Sequence, residues 1–251
     1  MDTPFLSVVI PAYNEEARLA PSLGVITGYF AAQPYRTEIV VVDDGSSDRT
    51  CDIVLEWAGK SPVPVRLEKN PCNMGKGAAV RRGMLAGAGE YLLFTDADLS
   101  TPIESIADFL PHLKQGAPVV IGTRKTQAAR ITRQQPWLRR NMGKGFVVLA
   151  NLMLGMRLSD FTCGFKCFSH SAAREIFSRS LVIGWAFDAE ILYLAQRLGY
   201  RIIEAPVTWA HSSGSRVRLR KDVLSSFLGL REIRRNSRKG AYHLPHPGGA
   251  V

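Results

Sequence analysis

Residues 91–100 read Y-L-L-F-T-D-A-D-L-S. Leu92, Leu93 and Phe94 form the continuous apolar run required of a strand buried on both faces of a parallel sheet, and polarity changes at Thr95, where such a strand emerges. Asp96 and Asp98 then stand at the carboxyl end of a central strand, the edge at which open α/β sheets bind ligands. Two hard oxygen donors at that edge suit Mg²⁺ or Mn²⁺, ions that combine carboxylates with substrate phosphates. The stretch is therefore read as a metal-diphosphate site. A pair of solvated strand-end caps is the alternative that these ten residues alone leave open.

Outward from it, strand and helix signals alternate. Residues 6–10, L-S-V-V-I, predict a strand closed by Pro11, with Asn14 as N-cap and Glu15 and Glu16 in the first turn of a helix reaching about residue 30. Tyr13 in that connection can stack on a base or pack against the loop. Residues 38–42, E-I-V-V-V, predict a second strand ending in Asp43 and Asp44, where an acid can accept hydrogen bonds from a ribose or base. Ser47 or Asp48 can cap the helix that follows. A third strand over 63–68 leads into Gly75-Lys76-Gly77. This turn lacks P-loop spacing, yet its glycines allow backbone approach to an anion and Lys76 supplies charge. A helix over 102–115 and a strand over 117–123 bring Arg124 to the same edge. Five such alternations predict an α/β chain with a doubly wound nucleotide-binding sheet.

Composition agrees with one large domain, or one domain with an elaborated flank: 251 residues suffice for a substantial core. The net charge of +10 points to an anionic partner, and the excess lies at 124–140 and 216–239. The first residues lack a basic leader, and the longest apolar stretches, such as 146–156, fall short of the roughly 18–20 residues of a membrane span. The expected location is cytoplasmic, peripheral on the cytoplasmic membrane face. Cys163 and Cys167 form one C-x3-C pair without a second pair or a histidine at zinc spacing, so the four cysteines are expected as buried thiols.

Five motifs occur in order: V-V-I-P-A-Y-N-E-E, V-V-V-D-D-G-S-S-D-R-T, N-M-G-K-G-A-A-V-R-R-G, D-A-D-L-S and I-G-T-R. Together they resemble the family 2 glycosyltransferases of GT-A fold, a Rossmann-like mixed, mostly parallel sheet with flanking helices. Three later motifs, D-F-T-C-G-F-K-C-F at 160–168, W-A-F-D-A-E-I-L-Y at 185–193 and W-A-H-S-S-G-S-R at 209–216, are similar to the dolichyl-phosphate β-glucosyltransferases and related polyprenyl-phosphate sugar synthases. The likeness implies a nucleotide-sugar-binding half over 1–125 and an acceptor-binding half over 126–218; residues 219–251 read from their own charge and composition as a basic amphipathic helix that passes, from about residue 236, into a flexible tail.

The resemblance implies that Pro11, Ala12, Tyr13, Glu15, Val42 and Asp44 line the base and ribose pocket. It implies that Asp96, Ala97 and Asp98 hold ribose, metal and diphosphate, with Asp98 nearest the Mg²⁺ or Mn²⁺, that Arg124 is the nucleotide-binding arginine after the fifth strand, and that Arg216 closes over the diphosphate. Ser100 stands where mannosyl relatives carry glutamine, which removes a third metal ligand. His211 is a candidate ligand, with loop packing preferred. The reaction implied is inverting transfer of glucose or another hexose from a nucleoside diphosphate sugar, UDP-linked by preference, to a polyprenyl or dolichyl phosphate. A phosphate monoester is largely ionised at neutral pH and attacks without a dedicated base. Asp188 is the candidate base for the alternative, a saccharide or protein hydroxyl acceptor; a structural carboxylate is its other reading.

Two segments are candidates for lipid contact. Residues 130–156 place Arg139 and Lys144 ahead of an apolar run, suited to a lipid phosphate or to an ordinary helix with a core face. Residues 219–235 alternate apolar and basic positions, as expected of an amphipathic helix on an anionic membrane. A basic nucleic-acid-binding module is a remote alternative; no recognition motif accompanies the charge, and no nucleic acid is expected.

Overall fold

The computed structural model describes residues 3–126, 128–133, 137–210 and 219–244, with side chains described for these except 133, 137–140 and 219–224. In chain order the strands are β1 (Leu6–Ala12), β2 (Thr37–Asp43), β3 (Val65–Lys69), β4 (Tyr91–Thr95), β5 (Val119–Thr123), β6 (Arg130–Arg133), β7 (Phe165–Ser169), β8 (Ile202–Pro206) and β9 (Thr208–Ala210). The helices are α1 (Leu19–Ala31), α2 (Thr50–Ala58), α3 (Lys76–Ala86), α4 (Ile106–Lys114), α5 (Trp137–Leu154), α6 (His170–Arg179), α7 (Phe187–Arg197) and α8 (Leu219–Arg238).

Seven strands form one sheet in the order β3-β2-β1-β4-β7-β5-β8, and β6 pairs with β9 beside it. Every pairing in the main sheet is parallel except those of β7, which runs antiparallel to both β4 and β5. The start of β7 therefore lies at the edge where β4 and β5 end, with Phe165 opposite Thr95.

Strand periodicity divides the core into two layers. Val9, Val42, Leu92, Phe94, Ile121 and Phe168 face the layer of α3, α5, α6, α7 and α8. Val8, Ile10, Leu93, Val120, Phe165 and Cys167 face α1, α2 and α4. Burial of β4 on both faces is complete, with all five residues enclosed, as its unbroken apolar run requires.

Several expected boundaries shift for local reasons. Asn14 does not cap a helix: it adopts φ +52°, and its Oδ1 accepts the Ser47 N–H at 2.8 Å, so α1 begins only at Leu19. Asp48 does serve the next helix, its Oδ1 accepting the Thr50 N–H at 3.0 Å. The helix expected over 102–115 is a 3-10 turn at Ile103–Ser105 followed by α4. Cys163 and Cys167 are buried and burial pushes both thiols up, the first to about 11, but Cys72 is exposed and Cys51 half-buried.

Residues 236–242 do not form the flexible tail expected of them. α8 continues to Arg238, and Tyr242 is 1% exposed, its hydroxyl donating to Glu190 Oε1 at 2.8 Å. One aromatic ring with a buried acceptor suffices to fix a segment otherwise rich in glycine and histidine.

Candidate active site

The D-A-D turn is built at the end of β4. Ser22 on α1 donates to the Ala97 carbonyl at 2.6 Å, and the Ser100 N–H donates to Asp98 Oδ1 at 3.0 Å. Leu99 closes the turn with φ +46°, a left-handed conformation that costs a non-glycine residue about 1–2 kcal/mol. The turn thereby sends Asp96 and Asp98 out at the sheet edge. Asp96 Oδ1 lies 2.6 Å from Lys76 Nζ, and its side chain is 34% exposed. Gly164, just before β7, abuts the Asp96 carboxylate so closely that a Cβ there would overlap it. Asp98 makes no ion pair among the described residues; the Ser100 N–H is its hydrogen-bond partner.

The neighbouring loops are organised by acids. Asp44 is 3% exposed; its Oδ1 accepts from Asn70 Nδ2 at 2.7 Å and from the Met74 N–H at 3.0 Å, and its Oδ2 accepts from the Gly75 N–H at 2.8 Å. Asp44 thus holds the turn that presents Lys76, where a carboxylate open to ribose was expected. Gly75 adopts φ +104°, which a side chain would strain. Val42 is fully enclosed in the core layer that faces α3, so its side chain offers no surface to the cleft. Ala12 is buried, Pro11 half-buried and Tyr13 39% exposed, free to present its ring.

Glu15 is bonded through both carboxylate oxygens to Arg18. The Glu15 hydrogen bond, with added attraction from Asp98 and Asp96, outweighs burial and holds the Arg18 guanidinium above its usual range. Its Nη1 is buried without a partner among the described residues. Sequence reasoning passed over Arg18; the signal was its position one helical turn before Ser22, above the D-A-D turn.

Across the cleft, charges are paired off. Arg124 follows β5 as expected, but its Nε and Nη2 lie 2.7 and 2.9 Å from the two oxygens of Asp160, and its guanidinium is 5.4 Å from the Trp209 ring. Burial alone would push Asp160 up, yet Arg124 outweighs it and holds the carboxyl below its usual range. Asp188, in the first turn of α7, is 4% exposed and pairs with Lys166 of β7, which is fully buried. Burial pushes the Asp188 carboxyl up against the pull of Lys166 and Lys76. Lys76 itself is disfavoured by burial but held above its usual range by Asp96 and Asp188. Lys166 was not foreseen either. Its signal was a lysine inside F-K-C-F, a strand otherwise apolar.

The donor set fits a divalent ion supported by substrate oxygens. Asp98 has free acceptor capacity, Asp96 stands one residue away, and no cluster of three or more His, Cys, Asp or Glu side chains among the described residues forms a closed cage. Two carboxylates completed by phosphate oxygens match Mg²⁺ or Mn²⁺ better than a structural site. Arg216 and His211 lie outside the described residues, as does the side chain of Arg139; Lys144 is exposed on α5.

The family described as Glycosyl transferase family 2 matches residues 7–177, which run from β1 into α6 and leave out α7, β8, β9 and α8. The chain belongs to glycosyl transferase family 2. Relatives within it include the dolichyl-phosphate beta-glucosyltransferase of Dictyostelium discoideum, 35% identical over 228 residues, covering 86% of this chain and 70% of that protein. The enzymes of the same name from Drosophila melanogaster, 37% identical with 84% and 69% covered, and Saccharomyces cerevisiae, 36% identical with 95% and 76% covered, are similar. Among solved structures, glucosyl-3-phosphoglycerate synthase of Mycobacterium tuberculosis with Mn²⁺, UDP and phosphoglyceric acid superimposes with a TM-score of 0.66 at 20% identity, covering 99% of this chain and 82% of that one. The same enzyme with Mg²⁺ and UDP gives a TM-score of 0.64 at 19% identity, with 99% and 83% covered. These likenesses fix the fold of this family 2 chain as GT-A, the mixed and mostly parallel sheet expected from the motifs.

Proposed function

We propose that this family 2 glycosyltransferase moves a hexose, glucose by preference, from a UDP-sugar to a polyprenyl phosphate of the dolichyl type, with inversion at the anomeric carbon. One observation carries the reading: 35% identity over 86% of the chain to an enzyme named for transfer to dolichyl phosphate. The uncommitted Asp98 beside Asp96 supports it, because a diphosphate leaving group needs a cation at that edge.

In this reading Asp98 and Asp96 would hold Mg²⁺ or Mn²⁺ at the donor's diphosphate. When bound, the ion supplies positive charge to the departing diphosphate. The exposed ring of Tyr13 covers the base, and Pro11 and Ala12 supply the pocket floor. An acceptor phosphate oxygen forms a bond to C1 as the C1–O bond to the diphosphate breaks, so UDP leaves with the electron pair. The acceptor's second pKa is near about 6, so its attack needs no proton removal at neutral pH. We assign Arg216 to the diphosphate and Lys144 with Arg139 to the acceptor's approach.

Membrane attachment follows from charge more than from an apolar stripe. Leu230 and Ile233 of α8 are fully buried, and Phe227 packs 5.9 Å from Phe146 of α5, so the helix spends its apolar face on the protein. Arg231, Arg234, Arg235 and Arg238 point outward, near exposed Leu228, with Val148 and Leu152 exposed on α5. We assign this surface to an anionic membrane, each basic residue contributing about 1 kcal/mol near the lipid. No helix among the described residues is long and apolar enough to cross a membrane.

Incubation with radiolabelled UDP-glucose, Mn²⁺ and a polyprenyl phosphate tests the reaction. Label in the lipid fraction is expected; none with any common sugar nucleotide overturns the reading. A hydroxyl acceptor is the second reading, favoured by Asp188, a carboxylate within electrostatic reach of Lys76 and Asp96. Asp188→Asn separates the two: a hydroxyl acceptor loses roughly 10²–10⁴-fold in turnover, the range for general-base catalysis, whereas a phosphate acceptor loses far less.

A further inference from the structure

We infer that Lys166 is a positioning residue for the transfer reaction: it holds one carboxylate oxygen of Asp188 so that the other faces the acceptor. The inference rests on the function proposed above.

Lys166 is fully buried in the middle of the sheet, opposite Phe94 on β4 and Ile121 on β5. An ammonium in that place is costly unless fully partnered. Its contacts are few and directed. Nζ donates to the Cys163 carbonyl at 2.7 Å and to Asp188 Oδ1, and lies 5.1 Å from the Phe94 ring centre. A methionine of similar length would fill the same space without charge, so packing alone does not call for lysine here.

The antiparallel course of β7 explains how the lysine reaches this point. Phe94 and Lys166 share a register two residues below Asp96 of the D-A-D turn, on the face covered by α3 and α7. Asp188 arrives there from the first turn of α7. With Oδ1 held by Lys166, Oδ2 has no hydrogen-bond partner among the described residues, and the side chain keeps 6% exposure. Lys76, whose ammonium is 5.7 Å from the Trp185 ring and 5.8 Å from that of Phe187, faces Asp188 from α3 and ties it electrostatically to Asp96. Oδ2 is thus the oxygen left to meet an acceptor. It can accept the hydrogen of whichever acceptor group carries one, a protonated phosphate oxygen or a hydroxyl.

A purely structural role makes a different prediction. Through the Cys163 carbonyl, Lys166 also steadies the loop whose Gly164 abuts Asp96. Were that its task, losing it would disturb donor binding.

The test is a double-mutant cycle with UDP-glucose, Mn²⁺ and a short-chain prenyl phosphate. At about pH 5.5, below the acceptor's second pKa near about 6 so that the phosphate carries a proton, Lys166→Met and Asp188→Asn should each lower kcat about tenfold while leaving the donor KM, and the thermal shift produced by UDP with Mn²⁺, within about twofold of wild type; the double variant should fall no further than either single. A double variant tenfold below the singles overturns the inference. So does Lys166→Met with unchanged kcat, Asp188→Asn with unchanged kcat, or a donor KM that rises in step with the loss. Should Lys166→Met alone not fold, the charge-neutral double variant is compared with Asp188→Asn: equal kcat supports the inference, and a further tenfold loss overturns it. A wild-type protein that transfers sugar to no acceptor removes the proposed function itself, a result distinct from additivity in an active enzyme.

Discussion

The two sides of the cleft carry similar charges and use them differently. At the end of β4, Asp98 has no ion-pair partner among the described residues and Asp96 is 34% exposed. By the end of β5 and the start of β7, Asp160 and Lys166 are fully buried and matched to Arg124 and Asp188. Carboxylates on the first side retain lone pairs for a ligand; on the second side they are mostly consumed by the protein. A charge at a sheet edge is therefore a candidate for binding only in proportion to what its neighbours leave unsatisfied.

Substitutions can sharpen or break that contrast. Asp98→Ala should cost the most, at least about 10³-fold in kcat/KM, or roughly 4 kcal/mol, with little change in melting temperature. Unchanged turnover in saturating Mn²⁺ would remove Asp98 from the site. Arg124→Ala should do the reverse. It strands a buried carboxylate at a cost of about 3 kcal/mol, the low end for breaking a buried pair, and lowers Tm by roughly 10 °C. A selective loss of UDP binding at normal Tm would instead make Arg124 a ligand contact. Gly164→Ala, which pushes a methyl group onto Asp96, should weaken UDP–Mn²⁺ binding about tenfold, near 1.4 kcal/mol, as read by calorimetry.

The smallest effect is in the acid limb. Arg124 holds Asp160 below the ordinary carboxylate range, so the pair's stability is complete above the unfolded pKa near about 4 and is lost as pH falls through the depressed folded value. Asp160→Asn should be less stable at pH 7, with the gap to wild type narrowing below about pH 4. A gap constant down to pH 3 would mean that the pair is not what Asp160 contributes.

The sheet and the edge where the D-A-D turn stands were legible because they depend on local pattern: the buried run at 92–94, the abrupt change at Thr95, and the repeated strand and helix signals. What the charged residues do was less so. Asp44 and Arg124 occupy the expected strand ends, yet their partners Gly75 and Asp160 are set by tertiary approach, 31 and 36 residues away in sequence. The roles of Lys166 and Arg18 were hidden for the same reason. Nothing in a local window says that a strand at 165–169 runs antiparallel between two others, and that topology alone gives the lysine its neighbours. Tyr242 shows the limit of composition: a segment reading as tail is fixed by one long-range hydrogen bond.

The placement of β7 also bears on how the chain is made. β5 cannot join β4 directly, because residues 165–169 must lie between them. On a ribosome adding about 5–20 residues per second, those residues follow the end of β5 by roughly 2–8 seconds. During that interval a valine-rich strand waits with neither edge paired, a template for wrong association with other nascent chains. Premature termination anywhere in the intervening segment would release a half-built sheet, marked for chaperones or proteases before any sugar nucleotide could rescue it.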